Sequence, residues 1–471
     1  MTTNAFEAGF QSVGSEYETV ELPVEGTVPD WLSGTLIRNG PGSFTVGETR
    51  LNHWFDGLAM LQKYEFDAGS VRYSNRFLRT ESYADAADGT LTGQFATDED
   101  GLSKVLNWVR NIGPPDPTDN ANVHIARLDG KFVALTEVPN WVSFDPETLA
   151  TAGKFRFADS FTCHMISAHL VHDNHRGEHI GHALEFGRTH RYHLFRIPDG
   201  TRRRELITTI PAAGKPAYVH SLGVSQRHII LVETPLRIDL KRTLSPFHEG
   251  FFDLLRWEDN RETELTIVER DTGEIVRRHA VEPFFTFHTI NTYDTEDGVV
   301  IDLISFEDES IVNSLSLDAL ESEGFNGTIP GRAVRFYLPF SGTPTRKRLF
   351  PGGVELPTVP DERMTHPYRY AYAQATDRQG ANGVVKIDTE RGQSVERWED
   401  GLYIEEPIPV IRPDATAEDD GVVLATALDV NAEQSLLFVF DAKTLTERAR
   451  VTLPQHNPFG FHGRFFSRPQ E

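Results

Sequence analysis

The chain has 471 residues, 46 basic and 70 acidic, for a formal net charge of −24. A surface that negative repels phosphate backbones and argues against nucleic acid as a partner. The single cysteine, Cys163, excludes an intramolecular disulfide and a cysteine-rich zinc site, and points to a reducing cytoplasm. The opening residues, MTTNAFEAGF, lack the basic and apolar regions of a signal peptide. No apolar run approaches the ~20 residues of a membrane span. Only nine of the basic residues are lysine. Acidity with scarce lysine fits a halophilic protein kept soluble by salt screening; an ordinary acidic protein from a GC-rich genome is the alternative.

Along the chain one pattern recurs: an apolar strand, a turn built on Asp, Gly or Pro, then a second strand. It is met first at residues 63–77 (KYEFDAGSVRYSNRF). A helix is expected over 101–113, where Leu102, Val105, Leu106, Val109 and Ile112 recur at helical spacing. Pro114 and Pro115 end it. Hairpins follow at 141–155 and 193–210. A second apolar helix is expected over 244–257, carrying Phe247, Phe251, Phe252, Leu254 and Leu255. Four more hairpins stand at 265–281, 335–350, 384–398 and 437–453.

Seven hairpins predict an all-β, seven-bladed β-propeller, each hairpin being the outer pair of a four-stranded blade. A pair of β-sandwiches is the alternative. The whole of 1–471 is read as one domain. Irregular hairpin spacing places long insertions on one face, where binding sites are built. The two helical segments are either core helices or an apolar patch that touches a membrane surface.

Eighteen histidines are present, eight of them between His164 and His193. Four lie at strand ends among apolar or aromatic neighbours: His169 (SAHLVHD), His220 (AYVHSLGV), His288 (FFTFHTINTYD) and His462 (PFGFHGRFF). In a propeller each comes from a different blade, and all can converge on the axis. Four neutral imidazoles suit a transition metal.

From GTLIRNGPG (34–42) and HWFDGLAML (53–61) to GFHGRFF (460–466), the sequence resembles the carotenoid cleavage oxygenase family. Collinear landmarks are TDNANV (118–123), LTE (135–137), SAHLVHD (167–173), YVHSLGV (218–224), FHTINTYD (287–294), VELP (354–357), EEPIPV (405–410) and EDDGVVL (418–424). The resemblance implies a seven-bladed propeller with a helical and loop cap. It implies one Fe(II) held by His169, His220, His288 and His462. At the first ligand motif the family reads AHP; here Leu170 replaces the proline. His169 is preferred because it follows the small Ala168, with His172 and His164 as alternatives.

The family orients its ligand rings with three glutamates, which match Glu137, Glu355 and Glu406 here, behind His220, His288 and His462 respectively. Glu405 competes with Glu406, but Glu406 directly precedes Pro407 as the motif requires. Tyr218, Phe287 and Phe306 are expected to line the substrate tunnel. The partners so implied are a carotenoid, O2 and a membrane surface touched through 101–113 and 244–257. The motifs look nearest to the β-carotene-to-retinal branch, which implies central 15,15′ cleavage by a cytoplasmic, peripherally membrane-associated dioxygenase. Eccentric cleavage, retinoid isomerisation and non-catalytic polyene binding are the alternatives.

Overall fold

Runs of Val, Ile, Phe and Tyr broken by turn residues form antiparallel strands throughout the structure, a computed structural model that describes residues 5–90, 95, 118–244, 250–323 and 329–468. All seven expected hairpins are present as directly paired strands. The first shows why they were legible. Leu58–Asp67 and Ser70–Phe77 are joined by Ala68 and Gly69, both at positive φ, 46° and 84°. That two-residue turn matches the twist of the strands it joins.

Each hairpin belongs to a larger sheet, antiparallel apart from one parallel bridge between Asn382 and Tyr403 among the described residues. One runs Thr151–Lys154, Val142–Phe144, Lys131–Leu135, His124–Leu128, and another Gly223–Val224, His228–Glu233, Thr263–Glu269, Ile275–Val281. A third is Thr289–Asp294, Gly298–Ser305, Arg332–Pro339, Thr345–Arg348. Within a sheet the middle strands are buried, and exposure rises towards the strand at the edge away from the centre. Every residue of Gly298–Ser305 is buried, whereas Thr345–Arg348 is exposed throughout. The middle strands pack on the neighbouring sheet: Ile230, Val232, Leu265 and Ile267 meet Val299, Ile301, Leu303, Val334 and Phe336. Burying such side chains contributes roughly 1.5–3 kcal/mol each, so sheet-on-sheet packing dominates stability.

The two ends of the chain close the arrangement. Gly463–Ser467 pairs with Gly34–Ser43, and Val24–Gly26 pairs with Glu447–Thr452. Edge strands of successive sheets touch, as Gly223–Val224 touches Thr289–Asp294 and Ile408–Ile411 touches Gly463–Ser467. These edges face a common centre.

The expected helix at 101–113 lies outside the described residues. The described part of 244–257 is not an α-helix. Gly250 adopts φ 69°, a short 3-10 turn spans Phe252–Leu254, and Leu255–Trp257 is a strand paired with Leu236–Ile238. Pairing with a neighbouring strand overrides the apolar spacing. Leu254 and Leu255 are buried, and Phe251 and Phe252 pack on the core.

His53, in the HWFDG motif, is locked as a neutral ring. Its Nδ1 accepts from the Phe55 amide at 3.1 Å and its Nε2 donates to the Val312 carbonyl at 3.0 Å. Burial pushes its pKa down to about 4, outweighing the Val312 hydrogen bond. A folded pKa below the unfolded ~6.5 means the unfolded chain binds the proton first, so stability falls as pH drops from 6.5 towards 4. We expect denaturant unfolding at pH 7 and pH 4.5 to show this acid loss shrinking by about 2 kcal/mol in His53→Asn. An unchanged loss would assign it to other groups.

Candidate metal centre

Four histidines stand where edge strands begin. His288 directly precedes Thr289–Asp294, and His462 directly precedes Gly463–Ser467. His220 lies three residues before Gly223–Val224, and His169 two before Val171–Asp173. Their rings meet at the centre. His169 lies 4.4 Å from His220, 5.0 Å from His288 and 4.6 Å from His462, centroid to centroid. His288 lies 5.1 Å from His220 and 4.9 Å from His462. The nearest ring nitrogens of His169, His220 and His288 lie within 4.8 Å of one another.

Serine hydroxyls tie these motifs together. Ser167 Oγ accepts from the His169 amide at 3.0 Å and donates to the His220 carbonyl at 2.9 Å. Ser221 Oγ accepts from the Thr289 amide at 3.1 Å and donates to the Phe287 carbonyl at 2.6 Å. Displacing one histidine therefore displaces the next.

Each expected glutamate lies behind one ring. Nδ1 of His220 bonds Glu137 Oε1 at 2.6 Å, that of His288 bonds Glu355 Oε2 at 2.6 Å, and that of His462 bonds Glu406 Oε1 at 2.7 Å. A carboxylate there fixes the tautomer, leaving Nε2 as the lone-pair nitrogen. Glu405 instead accepts from the Gly460 amide and from Thr426. Leu356, next to Glu355, is held at φ 48°, a strained value for leucine, and its amide donates back to the same carboxylate at 2.5 Å.

The alternatives to His169 are placed elsewhere. His164 Nδ1 accepts from the Phe186 amide, and His172 Nε2 faces Asp199. Two residues at the centre escaped the sequence reading. Arg38 is buried and lies 3.7 Å from both Glu405 and Glu406. His124 is buried 5.1 Å from the His462 ring and 5.7 Å from the His169 ring. Both sit inside matched motifs, or next to them, which was the signal available.

The electrostatics favour a cation. Burial, with help from the neighbouring rings, holds His169 and His462 well below the ordinary histidine pKa, so both are neutral. Burial pushes Glu406 up to about 7 against the pull of Arg38. Nε2 of His169 and of His288 is buried with no hydrogen-bond partner among the described residues. Orphaned acceptors of this kind are costly unless something binds them. Carboxylates behind three of the four rings, with Arg38 set against Glu405 and Glu406, leave the bare Nε2 atoms facing a space that suits a cation. The donor set fits a divalent transition metal.

Beside the rings lies a cavity of about 240 Å3 with mostly apolar walls. Trp54, Phe55, Tyr218, Phe251, Phe287, Phe306 and Phe461 line it, together with His220, His288 and His462. Phe287 meets His220 edge-on at 5.2 Å and Phe306 at 6.0 Å. Tyr218 donates to Glu137 at 2.9 Å, and Trp54 donates to the Phe459 carbonyl at 3.0 Å, so both rings are fixed. The helix Ser310–Ser314 contributes Ile311 to the wall. A second cavity of about 220 Å3 touches His169, His288 and His462 and is lined further out by His172, Asp361 and Arg464.

Sheets ranged around buried imidazoles, beside an aromatic cavity, define a propeller built about a metal-type site. The chain belongs to the family described as "RPE65: Retinal pigment epithelial membrane protein", whose model matches residues 10–467, and so to the carotenoid cleavage dioxygenases, which are iron-dependent oxidoreductases. It is 31% identical to a carotenoid isomerooxygenase of Galleria mellonella, over 96% of this chain and 95% of that protein. It is 26% identical to a β,β-carotene 15,15′-dioxygenase of Gallus gallus, over 95% of each chain. The cobalt-substituted Synechocystis ACO structure superposes with a TM-score of 0.88 at 25% identity, covering 99% of both chains.

Glu355→Gln keeps the shape behind His288 but removes the charge. We expect 10–100-fold weaker metal retention with an unchanged fold, read by metal analysis after dialysis and by circular dichroism. Equal retention would remove Glu355 from the site.

Proposed function

We propose that this chain is an Fe(II) dioxygenase that cleaves a carotenoid double bond with O2, delivering one oxygen atom to each of two carbonyl products. The observation that carries this is the convergence of His169, His220, His288 and His462 beside an aromatic cavity. In this reading those four histidines hold one Fe(II), and Glu137, Glu355 and Glu406 orient three of them. When bound, ferrous iron supplies the one-electron chemistry that O2 needs and zinc lacks.

The chain's own groups do the rest. The apolar walls strip water from a polyene and hold it extended against the ring nitrogens. Phe287, Phe306 and Tyr218 present ring faces or edges next to the metal side of the cavity, where they stabilise positive charge developing on the polyene. Polar side chains also reach the wall, among them Asn120, Asn122, Thr136, Gln374 and Thr376.

The same reading takes the sheets as seven blades, with the segments over the cavity as a cap. Central 15,15′ cleavage of β-carotene to retinal is the proposed regiochemistry. It is supported by the Gallus gallus relative's printed activity and by the motif style, FLRTESY (77–83) above all. Carotenoids partition into bilayers, so collection of substrate at a membrane surface belongs to this proposal. Phe251 on the cavity wall, with Phe252 beside it, is the described part of that entrance.

Anaerobic reconstitution with Fe(II), then β-carotene and O2, should give retinal as the main product by chromatography. His288→Ala should abolish turnover. Apocarotenals of unequal length would overturn central cleavage alone, and full turnover without iron would overturn the dioxygenase reading. Phe251→Ser with Phe252→Ser should slow cleavage of liposome-borne carotenoid more than cleavage of detergent-dissolved carotenoid. Equal slowing would confine both rings to the cavity.

A further inference from the structure

A second group of ligand-type side chains lies outside the central site. His172 and His179 are directly opposed across the antiparallel pair Val171–Asp173 and Glu178–Glu185, and their rings stack at 4.1 Å. Asp199 follows the next strand, Arg191–Pro198, and its amide donates to the Gly177 carbonyl at 2.8 Å. Its carboxylate lies 3.1 Å from His172 Nε2 and 3.5 Å from His179 Nδ1. One ligand atom from each of the three falls within 4.8 Å of the others. His179 is 3% exposed, and neither ring nitrogen, including the Nδ1 that faces Asp199, makes a hydrogen bond among the described residues. A buried histidine with an idle nitrogen calls for an explanation.

We propose that His172, His179 and Asp199 form a second metal site, taking a divalent transition ion of the zinc type. Two imidazoles and one carboxylate are a donor set that zinc accepts, with water completing the shell. Tetrahedral ligands at about 2.0–2.1 Å from zinc lie roughly 3.3 Å apart, so small side-chain rotations close the site. Burial disfavours a charged His179, which keeps it in the ligating form. Asp199 is about half exposed and gives the ion its way in.

One cation stands nearby. Arg464 donates to His172 Nδ1 at 3.2 Å, which places the His172 proton on Nε2, towards Asp199. Metal binding shifts that proton to Nδ1 and leaves Arg464 with Asp361, already 3.2 Å away. His172 also lines the second cavity, so the ion would sit at the outer rim of the space that reaches the central histidines. None of its three ligands belongs to the central set.

The test uses iron-loaded, full-length protein titrated with ZnCl2 by isothermal calorimetry, with iron content followed by elemental analysis. Wild type should take up one zinc with iron retained, and its thermal midpoint should rise. Asp199→Asn and His179→Gln should each weaken zinc uptake at least tenfold while iron content and carotenoid cleavage stay unchanged. Because zinc uptake is read directly, the result stands apart from whether the chain cleaves carotenoids. Zinc uptake that expels iron, no uptake by wild type, or equal uptake by Asp199→Asn would overturn the proposal. Should His179→Gln fail to fold, the half-exposed Asp199 decides.

Discussion

Four imidazoles cannot be buried together cheaply. Each carries a nitrogen that needs a proton or a lone pair satisfied, and water is excluded. Three of them donate Nδ1–H to a glutamate, within 2.6–2.7 Å. That solves the rings' problem and creates another at Glu406, a carboxyl that is itself buried. Arg38, 1% exposed, offsets part of that charge at Glu406. The apolar walls beside the rings, built from Trp54, Phe55, Phe287 and Phe461 among others, add to their desolvation.

The centre is also mechanically coupled. Ser167 links the His169 motif to His220, and Ser221 links the His220 motif to Phe287 and Thr289. Thr358, three residues after Glu355, donates to the Pro407 carbonyl at 2.6 Å, which joins two of the glutamate motifs. Gly40 lies so close to Gly460 that a Cβ would stand 2.7 Å from the Gly460 Cα, and only glycine permits the approach that seats His462. Sheets that are far apart in sequence are thus held in register by bonds around the ligands.

The hairpins were legible because turn chemistry is local: Ala68–Gly69 announces its own geometry. The four histidines were legible because each is embedded in a collinear motif. The choice of His169 over His172 and His164 rested on a small neighbour, and the structure gives the three rings different surroundings. Glu406 faces His462 because Pro407 sets the backbone after it, while Glu405 points to the Gly460 amide. What failed was long-range. Phe251, Phe252, Leu254 and Leu255 have helical spacing, yet only a 3-10 turn forms over Phe252–Leu254, and from Leu255 the backbone pairs with Leu236–Ile238 as a strand. Arg38 and His124 look like ordinary strand residues; the motifs at 34–42 and 118–123 mark their neighbourhood, but only the packing of the sheets brings both side chains to the centre.

The exchange of terminal strands has a consequence for biosynthesis. His462 leads into Gly463–Ser467, whose strand partner among the described residues is Gly34–Ser43, more than 400 residues earlier. That segment is synthesised after the other three ligand motifs. Until it docks, the cavity lacks Phe461 and Glu406 lacks its imidazole, so the nascent chain carries three ligand histidines facing an open edge. A complete ring set is thereby deferred until Gly463–Ser467 has docked on Gly34–Ser43, and a product truncated before His462 is left without it.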